Sequence, residues 1–266
     1  MKQSEILIRE HLNKPEFFRL DLREETDSTN TVVKQKGIEG EPEGYLCVAN
    51  RQTAGKGRLG RTFVSPDSGL YMSLLLRPAM SAAETLRITP AAAVAAAEAI
   101  TALCGRPAEI KWVNDIYMDG RKICGILTES VLSQDGDGIA LAVLGIGVNI
   151  ALPKDGFPAE IEAIAGAIYP YGEAPEGFRE RLCAEIWNRF LPYYVDLKSP
   201  ELLKRYRELS FLPGKRVRVI ETTSDPSRYR IATVDGITDD YGLAVTFDDG
   251  TRKVLATGEV SLKLAD

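Results

Sequence analysis

Positive charge and glycine alternate between Cys47 and Pro78, where Gly55, Gly57 and Gly60 stand among Arg51, Lys56, Arg58 and Arg61. Glycine lets a backbone approach a ligand closely, and clustered cations on a flexible loop can fold around a phosphate or carboxylate. The chemistry expected here is the binding of an anion. Other polar residues interrupt apolar sequence: Asp27-Ser28-Thr29-Asn30 ahead of Val32 and Val33, Lys111 with Asn114 and Asp115, then Lys122 and Asn149. Each has two readings. The Asp27 to Asn30 run can cap a helix or grip the polar head of a small ligand, and taken alone it favours capping. Lys111, Asn114 and Asp115 either satisfy one another or face a ligand, because buried polar groups need partners. Lys122 is a solvated strand-end lysine or a point charge aimed at a phosphate. Asn149 is a turn residue or an amide that reads a base edge.

Several chemistries are excluded. Gly55 to Gly60 fits G-x-G-x-x-G, but Thr62-Phe63-Val64-Ser65-Pro66 and Asp67-Ser68-Gly69 follow it and open no helix, so there is no dinucleotide-binding βαβ unit. No G-x-x-x-x-G-K-[ST] surrounds Lys56. His11 is the only histidine, far in sequence from every glycine cluster, which leaves no basis for a Ser-His-Asp or Cys-His hydrolase. Cys47, Cys104, Cys124 and Cys183 lack metal-ligand spacing and read as reduced core residues of a cytoplasmic protein. A net charge of -5 over 266 residues makes the basic loop a local feature on an acidic background, unlike a general nucleic-acid binder. The charged amino terminus and the alanine-rich run from Pro90 to Leu103, broken by Glu98, predict neither signal peptide nor membrane span.

Strands must flank the glycine loop, and the apolar runs ending at Ala49 and covering Leu70 to Leu76 supply them. Ser4 to Leu12 predicts a short helix, Phe17 to Leu22 a half-buried strand, and Thr89-Pro90 to Gly105 a helix with Pro at its first position and Gly as its stop. Glu109 to Ser130 predicts a hairpin turning at Asp119-Gly120, with Ile110, Trp112 and Ile116 on one face. Leu141 to Ile150 is continuously apolar, and Gly145 and Gly147 within it mark close approach by a ligand or another backbone. Phe178, Leu182, Ile186 and Phe190 predict a helix from Glu176 to Leu197 disturbed by Pro192, and Ser199-Pro200 starts another ending near Ser210. Beyond Leu212-Pro213-Gly214 the pattern becomes short alternating strands, at Arg216–Ile220, Tyr229–Val234, Leu243–Phe247 and Thr251–Leu255. Turns at Ser224-Asp225-Pro226, Asp239 to Gly242 and Asp248-Asp249-Gly250 separate them. Two domains are predicted, 1–211 and 212–266, the second a small barrel.

Taken together, four of these stretches resemble the biotin protein ligase family. Asp27-Ser28-Thr29-Asn30 matches its DSTN element, and Gln52-Thr53-Ala54-Gly55-Lys56-Gly57-Arg58-Leu59-Gly60-Arg61 its Q-T-A-G-R-G-R-x-G-R loop. Lys111-Trp112-Val113-Asn114-Asp115-Ile116 matches K-W-P-N-D-[IL], followed by Lys122 and Gly125-Ile126-Leu127 as K-x-x-G-I-L, and Gly145 to Asn149 matches G-x-G-[IV]-N. The order agrees over residues 26 to 150. The resemblance implies an α+β fold: a mixed β-sheet packed against helices, as in class II synthetase-like catalytic domains, with a C-terminal SH3-like β-barrel. It implies activation of biotin with ATP to biotinyl-5′-AMP and pyrophosphate, then transfer to a lysine of the biotin carboxyl carrier domain of a carboxylase.

The resemblance also assigns residues. Ser28, Thr29, Asn30 and Gln52 would hold the ureido head of biotin, with Gly125 and Leu127 near its rings. Gly55, Lys56, Gly57, Arg58, Arg61, Asn114 and Asn149 would bind ATP, Asn149 meeting the adenine. Arg58, which also meets the biotin carboxylate, Lys122, which bridges that carboxylate and the α-phosphate, and Asp115, which with Asn114 orients ATP and the acceptor lysine, would be catalytic. Mg²⁺ is expected, with no ligand identified for it. Lys56, Val113 and Phe63 depart from the family's usual Arg, Pro and Trp. Only 26 residues precede the DSTN element, so the resemblance is to the short form without an N-terminal DNA-binding domain, and neither operator binding nor a membrane partner is expected. A homodimer is compatible with it. The rivals are a lipoate or octanoate ligase and a non-catalytic biotin-responsive binding protein. The cationic loop is expected to order when ligands bind.

Overall fold

A computed structural model of the chain describes residues 1–133, 138–221, 229–256 and 260–264. The predicted turn at Ser224-Asp225-Pro226 lies outside the described residues. The main sheet has seven strands: β1 (Arg19–Thr26), β2 (Tyr45–Gln52), β3 (Leu70–Leu76), β4 (Glu109–Lys111), β5 (Asp115–Met118), β6 (Arg121–Leu132) and β7 (Ile139–Val148). They pair in the order β1-β2-β3-β7-β6-β5-β4. The β1–β2 pair is parallel and needs a crossover, supplied by helix α2 (Thr29–Ile38); all the other pairs are antiparallel. Helix α1 (Lys2–His11) precedes the sheet, α3 (Ala82–Thr85) and α4 (Ile88–Cys104) follow β3, and α5 (Ala159–Glu162), α6 (Phe178–Val195) and α7 (Pro200–Leu209) follow β7.

Strand alternation divides the sheet into two unlike faces. Leu46, Val48, Met72, Leu74, Leu144, Ile146 and Ile126 point to one side and join α4 and α6 in the main core. Residues Ala91 to Ala97 of α4 are fully buried, small side chains letting the helix lie close to its neighbours. The segment Ala82–Cys104 is long and apolar enough to cross a membrane by composition, but much of it is buried inside the protein. On the opposite face Val33 of α2 packs on Cys47, Leu75, Leu141 and Val143. The rest of that face carries glycine and polar residues, and it is where the site lies.

Some boundaries differ from expectation. The chain turns at Trp112 to Asn114, so the stretch read as a single hairpin arm is two antiparallel strands, β4 and β5, and the Trp112–Val113 peptide is cis. The hairpin turn itself is as predicted, with Asp119 (φ 50) and Gly120 (φ 74) both left-handed. Pro90 is the third helical residue of α4, where a missing N–H still leaves no intrahelical bond unmade. Helix α6 runs on through Pro192, which falls in its last turn. Ahead of β1, Pro15–Phe17 forms a 3₁₀ turn, so the strand starts at Arg19, and pairing with β2 extends it to Thr26.

A second antiparallel sheet contains β8 (Arg216–Glu221), β9 (Arg230–Ile237), β10 (Leu243–Phe247), β11 (Arg252–Leu255) and β12 (Val260–Leu264), in the order β11-β10-β9-β8-β12. Strand β12 was not predicted, although Val260, Leu262 and Leu264 alternate with Ser261 and Lys263. The Trp112 indole N–H donates to Tyr241 O at 2.8 Å, and the Arg207 guanidinium donates to Ile237 O, tying this sheet to β4, β5 and α7.

Candidate active site

The register builds the floor of the site. One row across the strands runs Tyr71, Gly147, Gly125, Asp115, Lys111, and the next runs Ser73, Gly145, Leu127. Three glycines on adjacent positions of β6 and β7 leave a trench where side chains would otherwise stand. Each is filled by a neighbour: a Cβ on Gly145 would overlap Asn30 Oδ1, and one on Gly147 or Gly125 would meet the Phe63 ring at 2.6 and 2.9 Å. The trench opens into a cavity of about 690 Å³, within the usual range for a small-molecule site.

One end of the cavity is neutral and closed. Ser28, Thr29 and Asn30 begin α2 and are 2, 3 and 5% exposed. Ser28 occupies the N-cap position, yet its side chain makes no capping bond, so the capping reading does not hold here. The residues are joined into a network instead. Thr29 N donates to Gln52 Oε1 at 2.8 Å, Gln52 Nε2 donates to Ser65 Oγ at 2.9 Å, and Ser65 Oγ donates to Phe63 O. Buried Ser73 Oγ lies 2.6 Å from Asn30 Oδ1 and 2.7 Å from Thr29 Oγ1, and Asn30 Nδ2 donates to Glu129 Oε2 at 2.8 Å.

The other end is cationic and open. Arg58 reaches from the glycine loop to donate to Asn114 Oδ1 at 2.8 Å, and Asn114 Nδ2 in turn donates to Ile126 O. Burial lowers the Arg58 pKa, Arg61 pushes the same way and Asp115 opposes them. A guanidinium in that setting gains by meeting an anion. Lys122 Nζ lies 2.6 Å from Asp115 Oδ1, with both side chains about a quarter exposed, and 5.9 Å from the centre of the Phe63 ring. Lys56 and Arg61 line the cavity from exposed positions. Both stems of the loop are held by Arg179 of α6, whose buried guanidinium donates to Asn50 Oδ1 at 2.7 Å and to Gly69 O.

Ser28, Thr29, Asn30, Gln52, Lys56, Gly57, Arg58, Arg61, Asn114, Asp115, Lys122, Gly125, Leu127 and Asn149 thus line one cavity. Gly55 does not. It is buried beneath the loop, accepts Phe63 N through its carbonyl at 2.9 Å, and has Gln52 Nε2 3.0 Å from where a Cβ would sit. Its part is to fold the loop back on itself. Asn149 lines the cavity but commits one amide N–H to Gly166 O at 2.9 Å, fastening the segment that carries α5. That segment contributes Phe157, Ile161 and Ile164, which no periodicity or motif had marked. Phe63 and Tyr71 were also missed as lining residues, although Tyr71 and Ser73 follow from the alternation of β3. Among the described residues no three metal-binding side chains cluster.

The fold resembles a biotin protein ligase from Aquifex aeolicus solved with biotin and ATP: TM-score 0.72, 24% identity, covering 93% of this chain and 99% of that one. An R40G variant of the same enzyme solved with biotin gives a TM-score of 0.73 at 25% identity, covering 94% and 100%. The profile of the Biotin/lipoate A/B protein ligase family matches residues 22–149. A biotin--[acetyl-CoA-carboxylase] ligase of Paracoccus denitrificans is 36% identical over 251 residues, 88% of this chain and 97% of that protein. A bifunctional ligase/repressor, BirA, of Bacillus subtilis is 38% identical over 234 residues, 87% of this chain and 67% of its own length. The match to the corresponding Bacillus spizizenii protein spans 43% of that protein. The chain belongs to the biotin/lipoate A/B protein ligase family.

Proposed function

We propose that this chain is a biotin protein ligase. The biotin carboxylate attacks the α-phosphate of ATP, giving biotinyl-5′-AMP with loss of pyrophosphate, and an acceptor lysine then takes the biotinyl group with loss of AMP. The acceptor is the biotin carboxyl carrier domain of a carboxylase. The observation that carries the reading is the two-ended cavity, whose neutral closed end suits a ureido head and whose cationic end suits a carboxylate beside a triphosphate. Bringing two anions together costs Coulomb energy, which Arg58, Arg61 and Lys122 offset while stabilising charge at phosphorus.

In this reading Ser28, Thr29, Asn30 and Gln52 hold the ureido head, and Gly125 and Leu127 bound the rings. Lys122 bridges carboxylate and α-phosphate, with Asp115 keeping its ammonium in place until the substrates arrive. Lys56, Gly57, Arg58 and Arg61 close over the phosphates, and Asn114 steadies Arg58. Asn149 meets the adenine with what remains of its amide. Asp115 is the only carboxylate among the described lining residues and would be the side chain to hold a Mg²⁺ bound with ATP, an ion that would supply neutralisation of phosphate charge.

The family includes lipoate ligases, and the closed end decides against them. An alkyl tail there would match none of the polar groups that Ser28, Thr29, Asn30 and Gln52 turn to the cavity, whereas a ureido head adds hydrogen bonds worth about 0.5–1.5 kcal/mol each. Converging cations argue against a non-catalytic binding protein. We further infer that 212–266 forms an SH3-like barrel domain against 1–211, and that the protein works in the cytoplasm without nucleic-acid or membrane partners, consistent with its net charge of -5. A homodimer remains compatible with the fold. The test is mass spectrometry of products from ATP, Mg²⁺ and, separately, biotin, lipoate and octanoate, followed by addition of a carrier domain. Biotinyl-AMP and a biotinylated lysine are expected; octanoyl or lipoyl adenylate in its place would move the chain to the rival ligase.

A further inference from the structure

We propose that Glu129 is a positioning residue that fixes the direction of the hydrogen bonds at the closed end, making Thr29 and Gln52 an acceptor pair for an N–H donor of the ligand. This rests on the biotin-ligase reading, which supplies a ureido group as the donor. A carboxylate only accepts, so the Asn30 amide must turn Nδ2 toward Glu129, 2.8 Å away, and Oδ1 toward Ser73. Ser73 has a single proton, and an amide oxygen cannot donate, so that proton goes to Asn30 Oδ1 across 2.6 Å. The 2.7 Å contact between Ser73 and Thr29 then needs the Thr29 proton. With its proton turned inward, Thr29 Oγ1 offers the cavity only lone pairs.

Gln52 is fixed independently. Its Oε1 faces the Thr29 backbone N–H at 2.8 Å, and its Nε2 donates to Ser65. Thr29 Oγ1 also reaches Gln52 Oε1 at 3.1 Å, the longer of the two contacts its one proton could serve; with that proton on Ser73 at 2.7 Å, both oxygens keep lone pairs that a ligand N–H placed between them would satisfy. Gly145 is part of the device, because only a residue without Cβ leaves room for Asn30 Oδ1 against the sheet. Among the described residues no ion pair engages Glu129, so its charge acts on the Asn30 amide alone.

Glu129→Gln keeps the shape but can donate as well as accept, which frees Asn30 to flip and the chain to reverse. Calorimetry of biotin and, separately, of ATP is run on the wild type, Glu129→Gln, Ser73→Ala and the double variant, with thermal unfolding as a control for folding. Biotin Kd is expected to rise about fivefold in each single variant, one hydrogen bond's worth. ATP affinity should hold, and the double variant should bind biotin no worse than Ser73→Ala, since both act along one chain. Unchanged biotin affinity in Glu129→Gln, parallel loss of ATP affinity, or additive losses would overturn the proposal. A wild-type chain that binds ATP but no biotin would overturn the ligase reading, and this inference with it.

Discussion

The two ends of the cavity meet opposite physical demands. At the closed end the side chains that line the cavity are neutral and mostly buried, and hydrogen bonds among them and to Ser73 and Glu129 set their geometry before a ligand arrives. At the open end like charges share a glycine loop, with Lys56 and Arg61 exposed and Arg58 anchored on Asn114. In the proposed reading, a prearranged neutral wall rejects the wrong acid by leaving its ligand-facing hydrogen-bonding groups unmatched. A self-repelling cationic loop has little selectivity, yet it stabilises transferred charge once phosphate is present. In that reading, choice of acid and activation of acid fall to different residues.

That division can be broken end by end. Lys122→Ala should reduce adenylate formation about 10²–10³-fold with no loss of folding, measured by single-turnover quench. Arg179→Met should release both stems of the loop and cost about 1–3 kcal/mol in thermal or urea unfolding. It should also speed tryptic cleavage after Lys56, Arg58 and Arg61, cleavage that biotin with ATP is expected to slow in the wild type. Gly145→Ala pushes a methyl into Asn30, should destabilise by about 1–3 kcal/mol, and should weaken biotin more than ATP in titrations. The smallest effect sharpens the comparison. Raising salt from about 0.05 to about 0.5 M should weaken ATP binding several-fold, because exposed charges are screened, and weaken biotin binding less, since biotin brings one charge to the cationic end and ATP several.

Much of the site was legible because its chemistry is local. The cationic loop, the DSTN residues and the Asn114-Asp115 pair stand out within their own stretches, and alternation marked the strands that carry them. The meeting of Gly125 with Gly147 was not legible, because it depends on the register of β6 with β7. Gly145 and Gly147 could be read only as a place of close approach, and the structure names the intruders as Asn30 and Phe63. The cover from Phe157 to Ala165 has no period and no motif, and its position is set by backbone bonds to Lys122 and by the Asn149 side chain. Gly55 looked like its neighbours in sequence, and only packing under Phe63 and Gln52 separates it from them. Ser73 and Glu129 were not marked at all, because what gives them a part, the contact with Asn30, joins residues far apart in sequence.

The most direct measurement is the ratio of biotinyl- to octanoyl-adenylate formed from an equimolar mixture of the two acids by the wild type, Thr29→Val and Lys122→Ala. If the ends act separately, Thr29→Val lowers the ratio with a modest loss of total product, and Lys122→Ala lowers the total while the ratio holds. A ratio that shifts as far in Lys122→Ala as in Thr29→Val, or Thr29→Val lowering both adenylates equally, would contradict the division.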